Sequence, residues 1–317
     1  MSESTSWYNG GVTEGIVLTY QVCYNEPEFD YRRAEGLNQS SLKKILDSPA
    51  HYQAALKNRL IPTPAMKMGT ALHSLVLDGE KAFDSLYFDR KKEGKDLTVA
   101  EMKEALDKKN ISYKNSAKKA ELEELLYPGG KPIDRRTGLS EDEYADVQGM
   151  AESLRRLEWY SGTDAEYIKR NEVSIYWEQA GVSFKARLDS VLIDEGIVLD
   201  LKTTDSAEPE LFTKKVIGLG YDFQAAAYTA AAERAFGKPF RFMFAAVERR
   251  APYTVAIYEA DEVMQAEGRR KFDEAIRIYK ECEASDSWPG KEITIGSLSY
   301  PSWYKPIETP EPVEDVF

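Results

Sequence analysis

The middle of the chain carries two adjacent runs of strand-like residues with a polar break between them. Residues 183–193 and 196–203 are rich in Val, Ile and Leu, and the short segment 194–196 separates them. This pattern predicts a β-hairpin with a tight turn. A two-residue loop would place Asp189 directly opposite Asp200, whereas a three-residue loop would offset the two acids.

The remaining hydrophobic patterns predict helices around such a hairpin. Further strand-like runs lie at residues 172–178, 241–247 and 253–259. Apolar residues with helical spacing predict helices at residues 36–46, 51–60, 68–77, 141–158, 208–216, 222–236 and 260–284. Residues 1–30 and the Pro- and Trp-rich tail show no clear period. This order of elements predicts an α/β (α+β) fold with a central mixed β-sheet flanked by helices.

Helix ends can be predicted from residues that satisfy free backbone groups. Asn38 or Ser40 is a suitable N-cap for the first helix, and Asp222 for the alanine-rich helix that Gly237 ends. Ser48–Pro49 should stop the first helix, because the residue before proline avoids the helical region.

Residues 91–126 differ in character from the rest of the chain. Thr98 and Glu101 form a capping box before one helix, and Ser116 is the predicted cap of a second. The segment holds nine Lys and eight Asp or Glu, a net charge of +1, which leaves −13 for the remainder. We therefore predict an N-terminal helical part (residues 1–90), a helical insert (91–130) and the main core (131–317).

Composition limits the class of protein. The chain has 317 residues, of which 42% are hydrophobic and 11% aromatic, as expected for a folded globular protein. No apolar run approaches the 18 residues of a membrane span, and the polar N-terminus lacks the profile of a signal peptide. We expect a cytoplasmic protein.

Charge and cysteine content narrow the choice further. A net charge of −12 is mild evidence against extensive non-specific binding to duplex DNA. On net charge alone, the protein could equally be an enzyme with a small-molecule substrate. Acidic side chains are also what a metal-dependent nuclease brings to its site. Cys23 and Cys282 are the only cysteines, and two cysteines cannot ligate an iron–sulfur cluster of the four-cysteine type.

Asp189, Asp200 and Lys202 are the strongest candidates for chemistry. Residues on a strand alternate between faces, so Asp200 and Lys202 project from the same side. They end a nearly apolar strand, where charged groups are costly unless they are paired or used. Two opposed carboxylates with an ammonium beside them could hold a divalent metal and cut a phosphodiester. A hairpin with a charged edge is the alternative.

Two distant parts of the chain offer further polar groups. Gln224 and Tyr228 are four residues apart on a predicted helix and therefore share one face, as catalytic groups or as a polar fringe. His73 lies in an apolar helix, where a histidine is either a core residue or a ligand of a manganese- or magnesium-type site.

Together these motifs resemble a known nuclease family. The segments Gly69–Thr–Ala–Leu–His73, Lys185–Ala–Arg–Leu–Asp189, Asp200–Leu–Lys–Thr–Thr204 and Gln224–Ala–Ala–Ala–Tyr228, with Glu172, are similar to the RecB-like branch of the PD-(D/E)xK superfamily. Within that branch the chain resembles RecE (exonuclease VIII)-type phage recombination exonucleases. Leu188 stands where many relatives have proline. Residues 97–126 resemble a SAP-like or helix–extension–helix module, and a solvated helical hairpin is the alternative.

The resemblance implies a restriction-endonuclease-like core and a role for each matching residue. It implies Mg²⁺ or Mn²⁺, with two ions per site and no iron–sulfur cluster. It assigns metal binding to His73, Asp189, Asp200 and the carbonyl of Leu201, catalysis to Lys202, Gln224, Glu172 and Tyr228, and DNA contacts to Arg187, Lys118 and Lys119. Lys202 would activate water or stabilise the transition state.

The implied activity is 5′-to-3′ digestion of linear double-stranded DNA, releasing 5′-phosphomononucleotides and leaving 3′ single-stranded overhangs. The implied partners are DNA ends, a RecT-like single-strand annealing protein and further copies of the chain in a ring, such as a tetramer. The alternatives are another RecB- or Cas4-like nuclease and a non-catalytic DNA-end-binding protein on the same fold.

Overall fold

The protein is built around a seven-stranded mixed sheet. The computed structural model describes residues 7–9, 12–13, 16–17, 20–58, 61–91, 98–128, 136–157, 169–292, 295, 297–300 and 304. The strands of the sheet, in spatial order, are β1 (Trp7–Asn9), β4 (Tyr20–Cys23), β7 (Lys169–Gln179), β8 (Val182–Leu192), β9 (Ile197–Thr204), β10 (Arg241–Glu248) and β11 (Val255–Glu259). Neighbouring strands are antiparallel except β9 and β10, which are parallel. The predicted fold class is confirmed.

Two short pairs of strands lie apart from this sheet, and helices account for most of the rest. The pairs are β2 (Val12–Thr13) with β3 (Ile16–Val17), and β5 (Tyr87–Asp89) with β6 (Thr137–Leu139). The helices are α1 (Glu28–Arg33), α2 (Gln39–Asp47), α3 (Pro49–Lys57), α4 (Pro64–His73), α5 (Glu80–Leu86), α6 (Val99–Lys108), α7 (Lys119–Leu126), α8 (Glu141–Arg155), α9 (Pro209–Leu219), α10 (Tyr221–Phe236) and α11 (Glu262–Ser285). No helix of the described residues is both long and apolar enough to cross a membrane.

Strands β9 and β10 are buried on both faces. Val198 and Phe244 enter a core shared with α2, α10 and α11, whereas Leu199 and Ala245 enter a second core with α4 and α8. Covering both faces explains the nearly continuous apolar run before Asp200, because neither face of the strand meets water.

The β8–β9 hairpin has the register that the two-residue loop predicts. Leu192 pairs with Ile197, and Ser190 pairs with Leu199. The turn is closed by a hydrogen bond of 3.2 Å from the amide of Gly196 to the carbonyl of Ile193. Regular pairing stops at Ser190, and Asp189 and Asp200 are the next residues of the two strands, at the point where the strands separate.

Several predicted helix ends are confirmed. The side chain of Asn38 accepts the amide of Ser41 at 2.9 Å and caps α2, which ends at Asp47 as predicted. Gly237 ends α10 in the left-handed conformation, with φ +67°. The second predicted helix is Pro49–Lys57, and residues 59–60 lie outside the described residues.

Other predicted ends were wrong. Gly220, with φ +65°, separates α9 from α10 and takes the N-cap position expected for Asp222, which contacts Lys271 instead. The predicted helix 68–77 is α4 followed by a π-helical turn at Ser74–Asp78. A single π-helical turn, with its i to i+5 bonds, is too short to produce an apolar spacing of its own, so the sequence pattern did not predict it.

The prediction that residues 1–30 are irregular was also wrong for the described part. Strand β4 pairs with β7, with Val22 opposite Ile175, and β1 pairs with β4 at the edge of the sheet. A strand of four residues, such as β4, is too short for its alternation to stand out in the sequence. In the tail, the described residues after α11 form no regular element, and Trp288 packs against Tyr52 and Tyr279.

The segment between β5 and β6 carries its own small core. Helices α6 and α7 pack through Met102, Leu106, Leu122 and Leu126, all buried. The Thr98–Glu101 capping box is present. Ser116 is not the cap of α7, which begins at Lys119 because the carboxylate of Glu121 accepts the amide of Lys118 at 3.1 Å.

Candidate active site

A cleft of about 1020 Å³ opens where β8 and β9 stop pairing. Helix α4 contacts β9 and brings His73, its last residue, to this point, and α10 packs across the other face of the sheet. Most residues singled out in the sequence meet here. The lining includes His73, Glu172, Arg187, Asp189, Leu201, Lys202 and Tyr228.

Three of these residues form a compact group of potential metal ligands. One ligand atom each of His73, Glu172 and Asp189 lies within 4.8 Å of the other two. The Nδ1 of His73 is 3.7 Å from the Oδ2 of Asp189. Its Nε2 is 3.1 Å from the carbonyl oxygen of Leu201. When Nε2 donates to that carbonyl, the lone pair of Nδ1 points toward the carboxylate, which is the usual arrangement of a metal-binding histidine.

The donor set fits a divalent cation. Ligands of one octahedral Mg²⁺ lie about 3 to 4 Å apart, because each metal–oxygen distance is about 2.1 Å. The His73–Asp189 separation falls in that range, and the ligand atoms of the whole group lie within 4.8 Å of one another. Burial, with a contribution from Asp189, raises the pKa of Glu172. Burial raises the pKa of Asp189 as well, with a contribution from Asp200. Carboxylates held together in this way attract a cation.

Asp200 lies deeper than this group and has other partners. Its side chain is 0% exposed, and the ammonium of Lys202 contacts its Oδ2. Gln224 Nε2 donates to its Oδ1 at 2.8 Å. Asp200, predicted as a metal ligand, is therefore engaged with Lys202 and Gln224 and lies outside the group formed by His73, Glu172 and Asp189.

The ammonium of Lys202 is held between carboxylates and an aromatic ring. Its Nζ lies 4.7 Å from the ring centroid of Tyr221, and its side chain is only 13% exposed. Burial opposes the charge, but Asp200 and Asp189 together raise the pKa of Lys202. The lysine is therefore a fixed positive charge at the head of the cleft.

Tyr228 lies on the same side of α10 as Gln224 and lines the cleft. Burial raises the pKa of its hydroxyl well above the usual value, and Gln224 is a side-chain hydrogen-bond partner. The predicted pairing of Gln224 and Tyr228 on one helical face agrees with this geometry, since residues four apart on a helix are neighbours.

Glu172 has an unusual backbone and a basic partner. Its φ is +51°, in the left-handed region that costs an ordinary residue about 1–2 kcal/mol. The guanidinium of Arg187 contacts its carboxylate and donates to the carbonyl of Glu26 at 2.9 Å. Arg187 is largely buried and engaged by the protein, so its predicted contact with DNA stays a prediction.

Lys118 and Lys119 lie away from the cleft lining. Both are exposed at the start of α7, on the helical pair. The structure thus brings together every predicted site residue except these two lysines, and their predicted role at DNA is not tested by the geometry.

Sequence reasoning missed several residues of the cleft, among them Tyr31, Asp78, Lys215, Tyr221 and Arg249. Tyr221 could have been found, because it lies three residues before Gln224 on the same helix and thus on the same face. Asp78 ends the π-helical turn that follows His73. Tyr31 and Lys215 carry no spacing signal that links them to the motifs.

Comparisons with known proteins identify a family that the chain matches. Residues 38–295 match the model of a PDDEXK-like domain of unknown function (DUF3799). No match was found among the curated proteins. A crystal structure from Eubacterium rectale, of a protein named as a candidate exonuclease, is similar with a TM-score of 0.51 and 14% identity. The similarity covers 85% of this chain and 96% of that one.

A phage-related exonuclease from Haemophilus somnus 129PT is also similar, at 14% identity and a TM-score of 0.30, over 68% of this chain and 95% of that one. The Eubacterium rectale structure supports the fold, and the family match covers most of the chain. The chain therefore belongs to the PDDEXK-like domain family, within the PD-(D/E)xK nuclease superfamily.

Proposed function

We propose that this protein is a metal-dependent exonuclease that digests one strand of linear double-stranded DNA from its 5′ end. The observation that carries the proposal is the meeting of two groups where β8 and β9 separate. One group, His73, Glu172 and Asp189, has the donor atoms of a cation site. The other, Asp200, Lys202 and Gln224, is a buried charged set whose Asp200 and Lys202 charges act on Asp189.

The chain's own residues suit phosphodiester hydrolysis. A bound Mg²⁺ or Mn²⁺ would supply Lewis acidity at the phosphate and at the attacking water. His73, Glu172 and Asp189 would hold such an ion, with Asp200 behind them. For Lys202, stabilising the transition state fits better than activating water, because a charged ammonium cannot accept a proton. Its charge lies where negative charge develops on the phosphoryl oxygens.

Gln224 and Tyr228 have positioning roles in this scheme. The amide of Gln224 fixes the orientation of the Asp200 carboxylate through the 2.8 Å hydrogen bond. The Tyr228 hydroxyl is un-ionised, because burial raises its pKa, and it can donate a hydrogen bond to a phosphate oxygen. Both side chains are held by α10, a regular helix, so their positions relative to β9 are fixed.

The polarity, the mononucleotide product and the partners rest on the resemblance to RecE-type exonucleases. We include in the proposal a 3′ single-stranded product, a RecT-like annealing partner, a ring of several copies and two metal ions per site. Lys118, Lys119 and Arg187 are proposed contacts to DNA.

The rival from another class is a non-catalytic protein that binds DNA ends on the same fold. It requires no cation at the cleft and no charged lysine beside buried acids. The presence of Asp189, Asp200 and Lys202 in one connected set favours the nuclease. A Cas4-like nuclease is a second rival, and the two cysteines, both buried and unpaired, argue against its usual cluster.

The decisive experiment compares linear and circular duplex DNA in the presence of Mg²⁺, Mn²⁺ or EDTA. We expect loss of the linear form only, dependent on the metal. Labelling the 5′ or the 3′ end then reports polarity through the order of product release. Intact linear DNA with either metal, or equal loss with Asp200→Asn, would exclude the proposed activity.

A further inference from the structure

Three basic side chains converge on the end of β9, beyond the Asp–Leu–Lys motif. Lys202 projects from the strand itself. Lys215, on α9, donates to the carbonyl of Thr203 at 2.7 Å. Arg249, just after β10, donates its backbone amide to the carbonyl of Thr204 at 2.9 Å. Lys215 and Arg249 are therefore anchored at Thr203 and Thr204, the residues that follow Lys202, and all three basic residues line the cleft.

Lys215 and Arg249 carry more positive charge than their surroundings neutralise. Among the described residues, no carboxylate lies within ion-pair distance of Lys215. Arg249 contacts Asp205, whose side chain is 81% exposed, whereas the side chain of Arg249 is only 23% exposed. The carboxylate of Asp205 therefore lies mostly in solvent, whereas the guanidinium of Arg249 lies in the wall of the cleft.

The charges are close enough to affect one another. Burial lowers the pKa of Lys215, and the charges of Arg249 and Lys202 lower it further. Asp205 acts in the opposite direction but does not compensate. A cleft wall lined by charges of one sign attracts anions, and Lys and Arg bind phosphate groups through charge-assisted hydrogen bonds.

The geometry points to a second phosphate subsite, in which Lys215 and Arg249 bind the backbone phosphate next to the one at Lys202. This inference rests on the proposed function, because it takes a DNA strand as the ligand. The two subsites follow β9 in sequence, so neighbouring phosphates of one strand would lie along the strand end. The DNA phosphate would replace Asp205 as the partner of Arg249, and the carboxylate of Asp205 would stay hydrated.

The test measures DNA binding in EDTA, where no cleavage occurs. A blunt duplex oligonucleotide with a fluorescent label is titrated with wild-type protein, Lys215→Gln and Arg249→Gln at several salt concentrations. Each lost phosphate contact reduces the slope of log K against log [salt] by about 0.9. We expect that reduction in both variants, and a return to the wild-type slope in Lys215→Arg.

The matched controls are Lys214→Gln and Arg250→Gln. Lys214 is exposed on the same helix, and Arg250 follows Arg249 but lies outside the cleft lining. Both remove the same charge and should keep the wild-type slope. Unchanged slopes in Lys215→Gln and Arg249→Gln, or equal reductions in the controls, would overturn the subsite. A purely structural Lys215 would lower the Tm of Lys215→Gln without changing its slope.

Cleavage is scored separately on the same duplex with Mn²⁺. Wild-type protein that shows the expected slopes but leaves the DNA intact would refute the nuclease and still support the phosphate subsite. Active protein whose slopes do not respond to Lys215 or Arg249 would refute the subsite and leave the nuclease supported.

Discussion

Leu201 donates its backbone amide to the Oδ2 of Asp189 at 2.8 Å, so the main chain of β9 holds a carboxylate of β8. The carbonyl of the same residue lies 3.1 Å from the imidazole of His73. One peptide unit on each side of Leu201 therefore positions a different candidate ligand. The side chain at 201 can change without breaking these contacts, but the backbone there cannot move.

Replacing Asp200 by Asn should abolish metal-dependent cleavage, with a loss of at least about 100-fold in rate. It should also destabilise the protein, because the buried ammonium of Lys202 loses its contact with a carboxylate. The rate on linear duplex with Mn²⁺ and the Tm in EDTA report the two effects. Asp194→Asn, at the exposed turn of the same hairpin, is the control and should leave both unchanged.

Removing His73 should weaken metal binding specifically. Calorimetric titration of Mn²⁺ into His73→Gln should give an affinity at least about tenfold below wild type. An ion at 100 times its Kd stabilises the folded state by about 2.7 kcal/mol, so the Tm increase on adding Mn²⁺ should shrink as well. His51→Gln removes the chain's other histidine, which bonds to Ser48, and should bind Mn²⁺ normally. Equal affinities for the two variants would exclude His73 as a ligand.

The left-handed backbone at Glu172 makes an unusual prediction for two variants. Glu172→Ala and Glu172→Gly remove the same carboxylate and leave Arg187 equally unpaired, but only glycine relieves the positive φ. Glu172→Gly should therefore be the more stable by about 1 kcal/mol in urea unfolding. Glu178 is an exposed position of the same strand. There the alanine variant should be more stable than the glycine variant, because glycine weakens a regular strand. The same order at both positions would contradict the assigned backbone.

Acidification should stabilise the metal-free protein through Asp78. Its side chain faces the cleft, where loss of hydration and the charge of Glu172 raise its pKa from 3.8 to about 6. The folded state then binds a proton more tightly than the unfolded state, so the contribution of Asp78 to stability falls as pH rises from about 4 to about 6. Urea unfolding in EDTA across this range should show the difference between wild type and Asp78→Asn. A difference that does not vary with pH would contradict the raised pKa.

If the helical pair α6–α7 contacts DNA, Lys118→Gln combined with Lys119→Gln should reduce the salt dependence of DNA binding without lowering the cleavage rate at saturation. Lys108→Gln, at the end of α6, is the matched control. Unchanged binding in the double variant would favour a role for the pair in contacts other than DNA.

The sequence was sufficient to predict those parts of the site that depend on local pattern. The tight turn after β8 determines the register, in which Ser190 and Leu199 are the last paired residues before Asp189 and Asp200. A four-residue spacing determines the shared face of Gln224 and Tyr228. The sequence could not predict how deeply each site side chain is buried. Asp200 lies behind the ligand group, bonded to Gln224, only because α10 packs across the sheet at that point.

The π-helical turn after His73, the strand at Tyr20 and the approach of Lys215 also escaped prediction. The last two depend on contacts between residues distant in the chain, because Lys215 bonds to the carbonyl of Thr203 and Tyr20 pairs with Trp177. Local propensity carries no information on such contacts.

The two-residue turn between β8 and β9 has a consequence for how the chain can vary in length. A slip of one residue would turn every side chain of β9 to the opposite face and exchange Asp200 with an apolar neighbour. The eleven-residue separation of Asp189 and Asp200 therefore has to be kept, and a single-residue insertion or deletion within it should destroy the site. Length changes are accommodated elsewhere, as between β5 and β6, where a pair of helices with its own core fits into one connection.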